Sequence, residues 1–382
     1  MYQLFFAERD NTLYEKFPEQ NTGIDQILEL TKVASGSKLE NVIQADTTNT
    51  RILLDFGSQI TTISQSINSG DIPKVANHAN SASVFLNLKA SEANDLPLSY
   101  TIKAFPISQS WNNGTGTFAD LPITTNGSSW YYTDAKEPGT YWNTGSAASR
   151  NNYGTTEELG GGTWMTGSGF EASQSFQNES PDIRMNVTDI VQRWLEGDID
   201  NNGFIVKRSY ADEISGNILG SLKFFGRESH TVFLPRLEVA YNDIDLSGTS
   251  SFDVISDDLY VPYFKNIRPE YQAGEKVKFR LGVRPEFPDK SFATSSFFIT
   301  NDRLPSSSFY SICDSVTDES LIPFDETEKN ATQISCDSNG NYFKLNLNTF
   351  LPERYYRIKL KVIRDNGDDI QIHDQFYFKV VK

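Results

Sequence analysis

The run Asp198-Ile199-Asp200-Asn201-Asn202-Gly203 follows the order that opens a calcium loop, where oxygen ligands at alternate positions surround a hard cation. Asp198, Asp200 and Asn202 are the weak metal candidates of this chain. The twelfth position, where a bidentate glutamate completes such a loop, is Ser209, and Asn202-Gly203 also suits a tight turn for backbone reasons alone. No metal or other cofactor is therefore expected. His78, His230 and His373 lie far apart, with no partner at ligand spacing and no nucleophile motif beside them, and they read as surface or loop residues. Gly160-Gly161-Gly162 through Gly169 lacks the Gly-Lys-Ser/Thr ending of a phosphate loop and reads as a flexible turn. Fifty acidic residues guarantee close carboxylate pairs somewhere, but nothing ties two of them to one cleft. The expectation is a protein with no catalytic set. The residues best suited to bind a partner are aromatic. Trp130, Tyr131, Tyr132, Tyr141 and Trp142 cluster in sequence, with Phe118 just upstream, and such rings stack on sugars and anchor protein interfaces.

These residues need elements to hold them. Val187, Ile190, Val191, Trp194 and Leu195 recur at the spacing of an amphipathic helix, with Thr188 and Asp189 in its first turn and Gly197 placed to end it. It is the only substantial helix expected. Strand-like runs occupy residues 2–7, 12–14, 24–30, 51–56, 82–88, 98–105, 204–207, 222–226 and 235–241. Residues 106–170 form a Gly-, Asn-, Ser- and Thr-rich excursion, too long for a simple connection. Its part from about 112 to 140 reads as an insert carrying Phe118, Trp130, Tyr131 and Tyr132, with Trp130 to Tyr132 freer than the other tryptophans. Beyond a polar stretch at 243–258, further runs at 260–263, 275–283, 295–300, 342–347, 355–363 and 375–381, with turn signals at 337–340 and 366–367, read as an immunoglobulin-like β-sandwich.

A chain of 382 residues is long for one core. The expected division is a first β-sandwich over 1–243, a linker over 244–258 and a second sandwich over 259–382, an all-β protein. The net charge of −16, from 50 acidic and 34 basic residues, opposes nonspecific attraction to nucleic acid. The opening residues have neither the basic region nor the apolar run of a secretory signal, and no stretch is apolar enough to suggest membrane insertion. Cys313 and Cys336 sit in similar contexts whose flanks look like neighbouring strands. Free thiols are the favoured reading for a chain made in a reducing compartment, with a disulfide as the alternative in an extracellular particle.

The helix ending Trp194-Leu195-Glu196-Gly197, the Asn202-Gly203 turn, the strand at 204–207, Phe225-Gly226 and Pro235-Arg236-Leu237 stand in an order that resembles the DNRLRE-type (disaggregatase-related) β-sandwich domain. Asp10, Asn21, Gly23 and Leu28, then Arg51 through Phe56 and Ala82 through Leu88, fill the places of its earlier strands. Trp111, Trp142, Trp164 and Trp194 fall where that family places core tryptophans. The resemblance implies a jelly-roll sandwich with one helix. A second resemblance covers nearly the whole chain. Gly114-Thr115-Gly116, Asn126-Gly127, Trp130, Ser180 through Met185, Lys223-Phe224-Phe225, Arg268 through Tyr271, Ile322 through Asp325 and Pro352 through Tyr356 are similar to stretches of virion structural proteins of contractile-tailed marine cyanophages. That likeness implies a non-enzymatic subunit of the neck, tail or baseplate, assembled in the host cytoplasm and partnered by other virion proteins and copies of itself. Some DNRLRE-like domains bind carbohydrate, so a host-envelope glycan is the alternative partner.

Overall fold

The computed structural model describes residues 1–34, 47–142, 160–256, 258–287, 302–364, 367 and 369–382. The strand expected at 295–300 and residue 366 of the expected turn lie outside the described residues. The chain forms an all-β, sandwich-type fold that divides into two compact units. One comprises Leu4–His78 and Ser83–Val239, and the other Met1–Gln3, Ala79–Ala82 and Ala240–Lys382.

From the start of the chain the elements run β1 (Tyr2–Phe6), β2 (Arg9–Tyr14), β3 (Ile27–Ala34), β4 (Thr47–Asp55), α1 (Gly57–Asn68), β5 (Ser83–Leu88), β6 (Ala90–Asn94), β7 (Ser99–Pro106), β8 (Tyr132–Asp134) and β9 (Thr140–Tyr141). They continue with β10 (Ala172–Gln177), β11 (Ile183–Asn186), α2 (Thr188–Glu196), β12 (Phe204–Arg208), α3 (Tyr210–Ile214), β13 (Gly220–Phe225) and β14 (Arg236–Ala240). One sheet has the order β1-β14-β5-β11, and a larger one runs β10-β7-β12-β4-β3-β13-β6 with β2 also paired to β4. Period-two alternation aims Val84, Leu86 and Leu88 of β5, and Leu222 and Phe224 of β13, into the core.

The expected helix is α2. It buries Ile190, Val191 and Trp194, whose ring meets Phe204 edge-on at 4.6 Å. Gly197 ends it at φ +78°, where a glycine carries no Cβ penalty. Thr188 does not cap the helix. Its hydroxyl instead accepts from the Val84 N–H at 2.9 Å, tying α2 to β5, while Asn186 Oδ1 accepts from the Thr188 N–H.

The expectation of a single substantial helix is corrected by α1, twelve residues long. Its sequence is rich in Ser, Thr and Ile, buries only Ile60 and Ile63, and has no side-chain cap of its own. The start is satisfied from elsewhere: Asp55 accepts from the Gly57 N–H at 3.0 Å, and Glu8, on the far side of β2, from the Ser58 N–H at 3.1 Å. A helix whose first N–H groups are met by a residue fifty positions away leaves little local signature.

The carboxy-terminal unit continues with β15 (Tyr260–Phe264), β16 (Glu270–Gln272), β17 (Lys276–Pro285), β18 (Ser308–Asp314), β19 (Ser320–Ile322), β20 (Ser335–Asp337), β21 (Gly340–Asn346), β22 (Arg354–Arg364) and β23 (Asp369–Val381). Its sheets have the orders β15-β17-β21-β20 and β16-β23-β22-β18-β19. Among the described strands of these two sheets, β16 and β23 pair in parallel and the other neighbours antiparallel. This is the immunoglobulin-like arrangement, with the first strand divided between the two sheets. Tyr310 stacks on Phe343 at 4.2 Å and Phe264 meets Phe376 at 4.6 Å, so rings from the two sheets interlock. Tyr356, fully buried near the start of β22, donates its hydroxyl to Leu351 O at 2.9 Å, the tyrosine corner of this sandwich class.

Along 244–256, Cys336 donates its N–H to Asp245 O, Gly248 to Cys336 O, and Ile255 to Arg303 O, so this stretch is hydrogen-bonded to β20 and its neighbourhood. Cys313 and Cys336 are both buried and free, on β18 and β20, which belong to different sheets rather than to neighbouring strands.

Candidate functional site

The amino-terminal unit holds a buried ionic cluster and, separately, a set of exposed aromatics. On β4, Asn49, Arg51 and Leu53 share one face by the two-residue period of a strand. Arg51 donates through Nε and Nη2 to the two carboxylate oxygens of Glu213, each at 3.0 Å, and through Nη1 to Gly161 O at 2.6 Å. Its guanidinium lies over the rings of Trp130 (4.8 Å) and Trp164 (5.1 Å), which supply cation–π attraction in a desolvated setting. Lys207 reaches the same carboxylate at 2.6 Å. Burial raises the Glu213 carboxyl, but Arg51 and Lys207 outweigh it and hold the group below the usual carboxylate range. Lys207 is brought down to about 8, because desolvation of its ammonium exceeds the pull of Glu213.

The insert is built onto this cluster. Asn21 donates its amide to Asn113 O (2.7 Å) and Ser128 O (2.8 Å), and its Oδ1 accepts from the N–H groups of Gly23 and Gly116. Asn11 donates to the Ser128 hydroxyl and carbonyl. Gly23 is required by contact: a Cβ there would sit 2.0 Å from Asn113 O. The glycines at 160–162 are buried rather than a flexible turn, since a Cβ on Gly160 would meet Trp130 O at 2.2 Å and one on Gly161 the Arg51 guanidinium at 2.3 Å. Trp142 donates its ring N–H to Ser129 O at 2.9 Å. Trp111, Trp130, Trp142 and Trp164 thus share one core cluster with Leu13, Leu53, Phe105, Ile107 and Ile205.

The four expected contact residues separate. Trp130 is only 6% exposed and is withdrawn from the surface set, because Arg51 lies over its ring and Gly160 and Gly161 pack against it. Phe118 packs against Tyr14 (5.0 Å) and Phe17 (5.9 Å) yet stays 47% exposed, beside Leu121 at 93% and the exposed Ile123. Tyr131 is at the margin of exposure, meeting Tyr132 edge-on at 6.5 Å. Tyr132 and Tyr141 face each other across the β8–β9 hairpin, with rings 4.5 Å apart, hydroxyls at 3.0 Å and Tyr141 59% exposed. The Tyr141 hydroxyl pushes Tyr132 up to about 12.

The metal candidates do not converge. Asp198 and Asp200 are exposed, Asp198 pairs with Arg193 at 3.8 Å, and at Asn202 the backbone carbonyl accepts from the Trp111 ring N–H while the side-chain Nδ2 donates to Ile107 O. This is a turn held by a core tryptophan. Among the described residues no group of three or more His, Cys, Asp or Glu could hold a metal. His78 and His230 are exposed, whereas His373 stands on β23 against the Tyr260 ring. In the carboxy-terminal unit a cleft of about 540 Å³ is lined by Val254, Ser256, Asp258, Pro305 and Arg364, without a nucleophile paired to a base. Among the described residues no helix is long and apolar enough to cross a membrane.

The ionic cluster escaped the sequence reading. Parity gives no warning of it: Arg51 shares a face with Leu53 and Lys207 with Ile205, but Ile52, Leu54, Phe204 and Val206 make the opposite faces at least as apolar, and both faces of these strands are buried. Glu213 gives no signal either, being one acid in a short polar helix.

No protein-family model matches the chain, and no curated protein matches it. Among solved structures, the crystal structure of a DUF4785 family protein from Legionella pneumophila subsp. pneumophila str. Philadelphia 1 aligns at 7% identity and a TM-score of 0.21, covering all of this chain and 65% of the other. This chain therefore spans less than two thirds of that protein's length, and so slight a likeness carries no argument.

Proposed function

We propose that this chain is a non-enzymatic structural subunit of a tailed-phage virion, a neck, tail or baseplate component that works by binding other virion proteins and copies of itself. The observation that carries the binding role is the anchored insert. Buried Asn11, Asn21, Ser128 and Trp130 fix its base, while Phe118, Leu121 and Ile123 project outward. Apolar side chains held in water by a built scaffold are what an interface core looks like before its partner arrives. The virion context rests on the resemblance of separate stretches across the chain.

Deleting the insert is not a clean test, because Trp130 and Ser128 belong to the core of the unit. Leu121→Glu changes only its outer face, at a side chain 93% exposed. The variant should keep its thermal transition and tryptophan emission yet fail to enter particles in the infected host, as read by mass spectrometry of purified virions. Incorporation at normal copy number would sink the assembly reading.

A second reading, a host-envelope glycan as ligand, draws on the open pair Tyr132 and Tyr141, whose rings offer a stacking surface beside the polar side chains of Gln109 and Asn112. A glycan array probed with the whole chain decides it. Binding that Tyr141→Ala abolishes favours this reading, and an array without signal removes it.

A further inference from the structure

Lys32 on β3 and Asn49 on β4 stand opposite each other in the antiparallel register. Both are inward-facing, at 0% and 4% exposure. Their side chains meet at one atom, the carbonyl oxygen of Glu213, which accepts from Lys32 Nζ at 2.5 Å and from Asn49 Nδ2 at 3.4 Å. Asn49 Nδ2 also donates to Glu15 Oε2 at 3.0 Å, and the Asn49 backbone N–H donates to the same oxygen at 2.6 Å. Asn49 Oδ1 has no hydrogen-bond partner. A buried amine, a carboxamide with an unengaged carbonyl and a carboxyl group on the amide nitrogen thus occupy one dry site.

We propose that Lys32 and Asn49 condense without any added reagent into an intramolecular isopeptide bond that ties β3 to β4, with Glu15 as the proton carrier. The deprotonated Lys32 Nζ attacks Asn49 Cγ, forming one C–N bond. The bond from Cγ to Nδ2 breaks as Glu15 passes to Nδ2 the proton given up by Nζ, and ammonia leaves. Nothing is oxidised or reduced, and no co-reactant is consumed. The hydrogen bond from Nζ to Glu213 O orients the amine, and exclusion of water removes the competing nucleophile.

The electrostatics of the site agree with this chemistry. Burial lowers the Lys32 amine from its usual value against the opposing pull of Glu15 and Glu213, with Arg208 adding to the lowering and Asp212 opposing it. Burial also raises the Glu15 carboxyl, against the Asn49 N–H and Arg51. Both shifts run toward the neutral amine and the protonated carboxyl, the pairing that aminolysis of an amide needs. A plain reading exists too, in which Lys32 and Asn49 only satisfy the free carbonyl at the end of α3.

The mass of the whole purified chain separates the two. Under denaturing conditions the wild type should weigh one ammonia less than its sequence, and a protease digest should contain a branched peptide joining Lys32 to Asn49. Lys32→Arg, Asn49→Ala and Glu15→Gln should each restore the full mass, Glu15→Gln with the least change in shape. A wild-type chain at its full sequence mass, with Lys32 open to trypsin after unfolding, overturns the proposal. Ammonia loss without the branched peptide overturns it as well, because it would come from another asparagine or glutamine.

Discussion

Replacing Glu213 by glutamine keeps the shape of the side chain and removes the one charge that Arg51 and Lys207 share. In the native protein that carboxylate accepts two guanidinium hydrogen bonds at 3.0 Å and one ammonium contact at 2.6 Å, with both cations buried. Breaking a buried ionic group by removing one partner costs about 3–5 kcal/mol, because the charge left behind cannot return to water. For a unit of this size roughly 2–4 °C accompanies each kcal/mol, so its transition should fall by about 6–20 °C. All five tryptophans lie in the amino-terminal unit, so their fluorescence during urea or thermal unfolding follows that unit alone. The variant should also change the pH response. Lys207 titrates near 8 when folded and near 10.5 when unfolded, so from pH 8 to 10.5 the unfolded chain holds the extra proton and stability rises with pH. Without Glu213 that rise should begin at lower pH. A triple variant with Arg51→Met, Lys207→Met and Glu213→Leu should recover most of the loss, since apolar replacements of similar volume need no compensation. A loss below about 1 kcal/mol in Glu213→Gln would refute the claim that these cations depend on it.

Three further outcomes are expected. Trp194→Ala should cost about 3–5 kcal/mol in urea unfolding of the amino-terminal unit, the price of a cavity against Phe204. Asp10 is buried on β2 with the Arg227 N–H at 2.6 Å, and desolvation lifts its carboxyl to about 7 from an ordinary 3.8, against the pull of Arg227 and helped by Glu228 and Asp25. The folded form keeps a proton that the unfolded chain has lost, so this residue's contribution to stability falls as pH rises from about 4 to about 7. Asp10→Asn should match the wild type near pH 4 and exceed it above pH 7, by up to about 4 kcal/mol; equal pH profiles would contradict the assignment. Tyr356→Phe should cost about 0.5–1.5 kcal/mol through loss of the bond to Leu351 O, read in the near-ultraviolet circular dichroism of the carboxy-terminal unit, with tryptophan emission unchanged.

What could be read from the sequence was whatever repeats locally. The spacing of Ile190, Val191 and Trp194 places α2, alternation places β5 and β22, and the Asp337 to Gly340 run makes the β20–β21 turn, because a helix or strand stamps its own period on the residues that build it. The four tryptophans expected in the core are there, as large apolar rings seldom have another stable place. Only the tertiary structure decided the rest. The start of α1 is met by Glu8 and the insert is held by Asn11 and Asn21, contacts that join residues 50 to 117 positions apart and leave no period. Trp130 reads like a surface aromatic among asparagines and glycines until Arg51 is seen lying over its ring. The meetings of Arg51 with Glu213 and of Lys32 with Asn49 follow from which strands become neighbours. A charge inside a strand is exposed at Lys344 and buried at Lys207, so the sequence shows neither its burial nor its partner; the fold decides both.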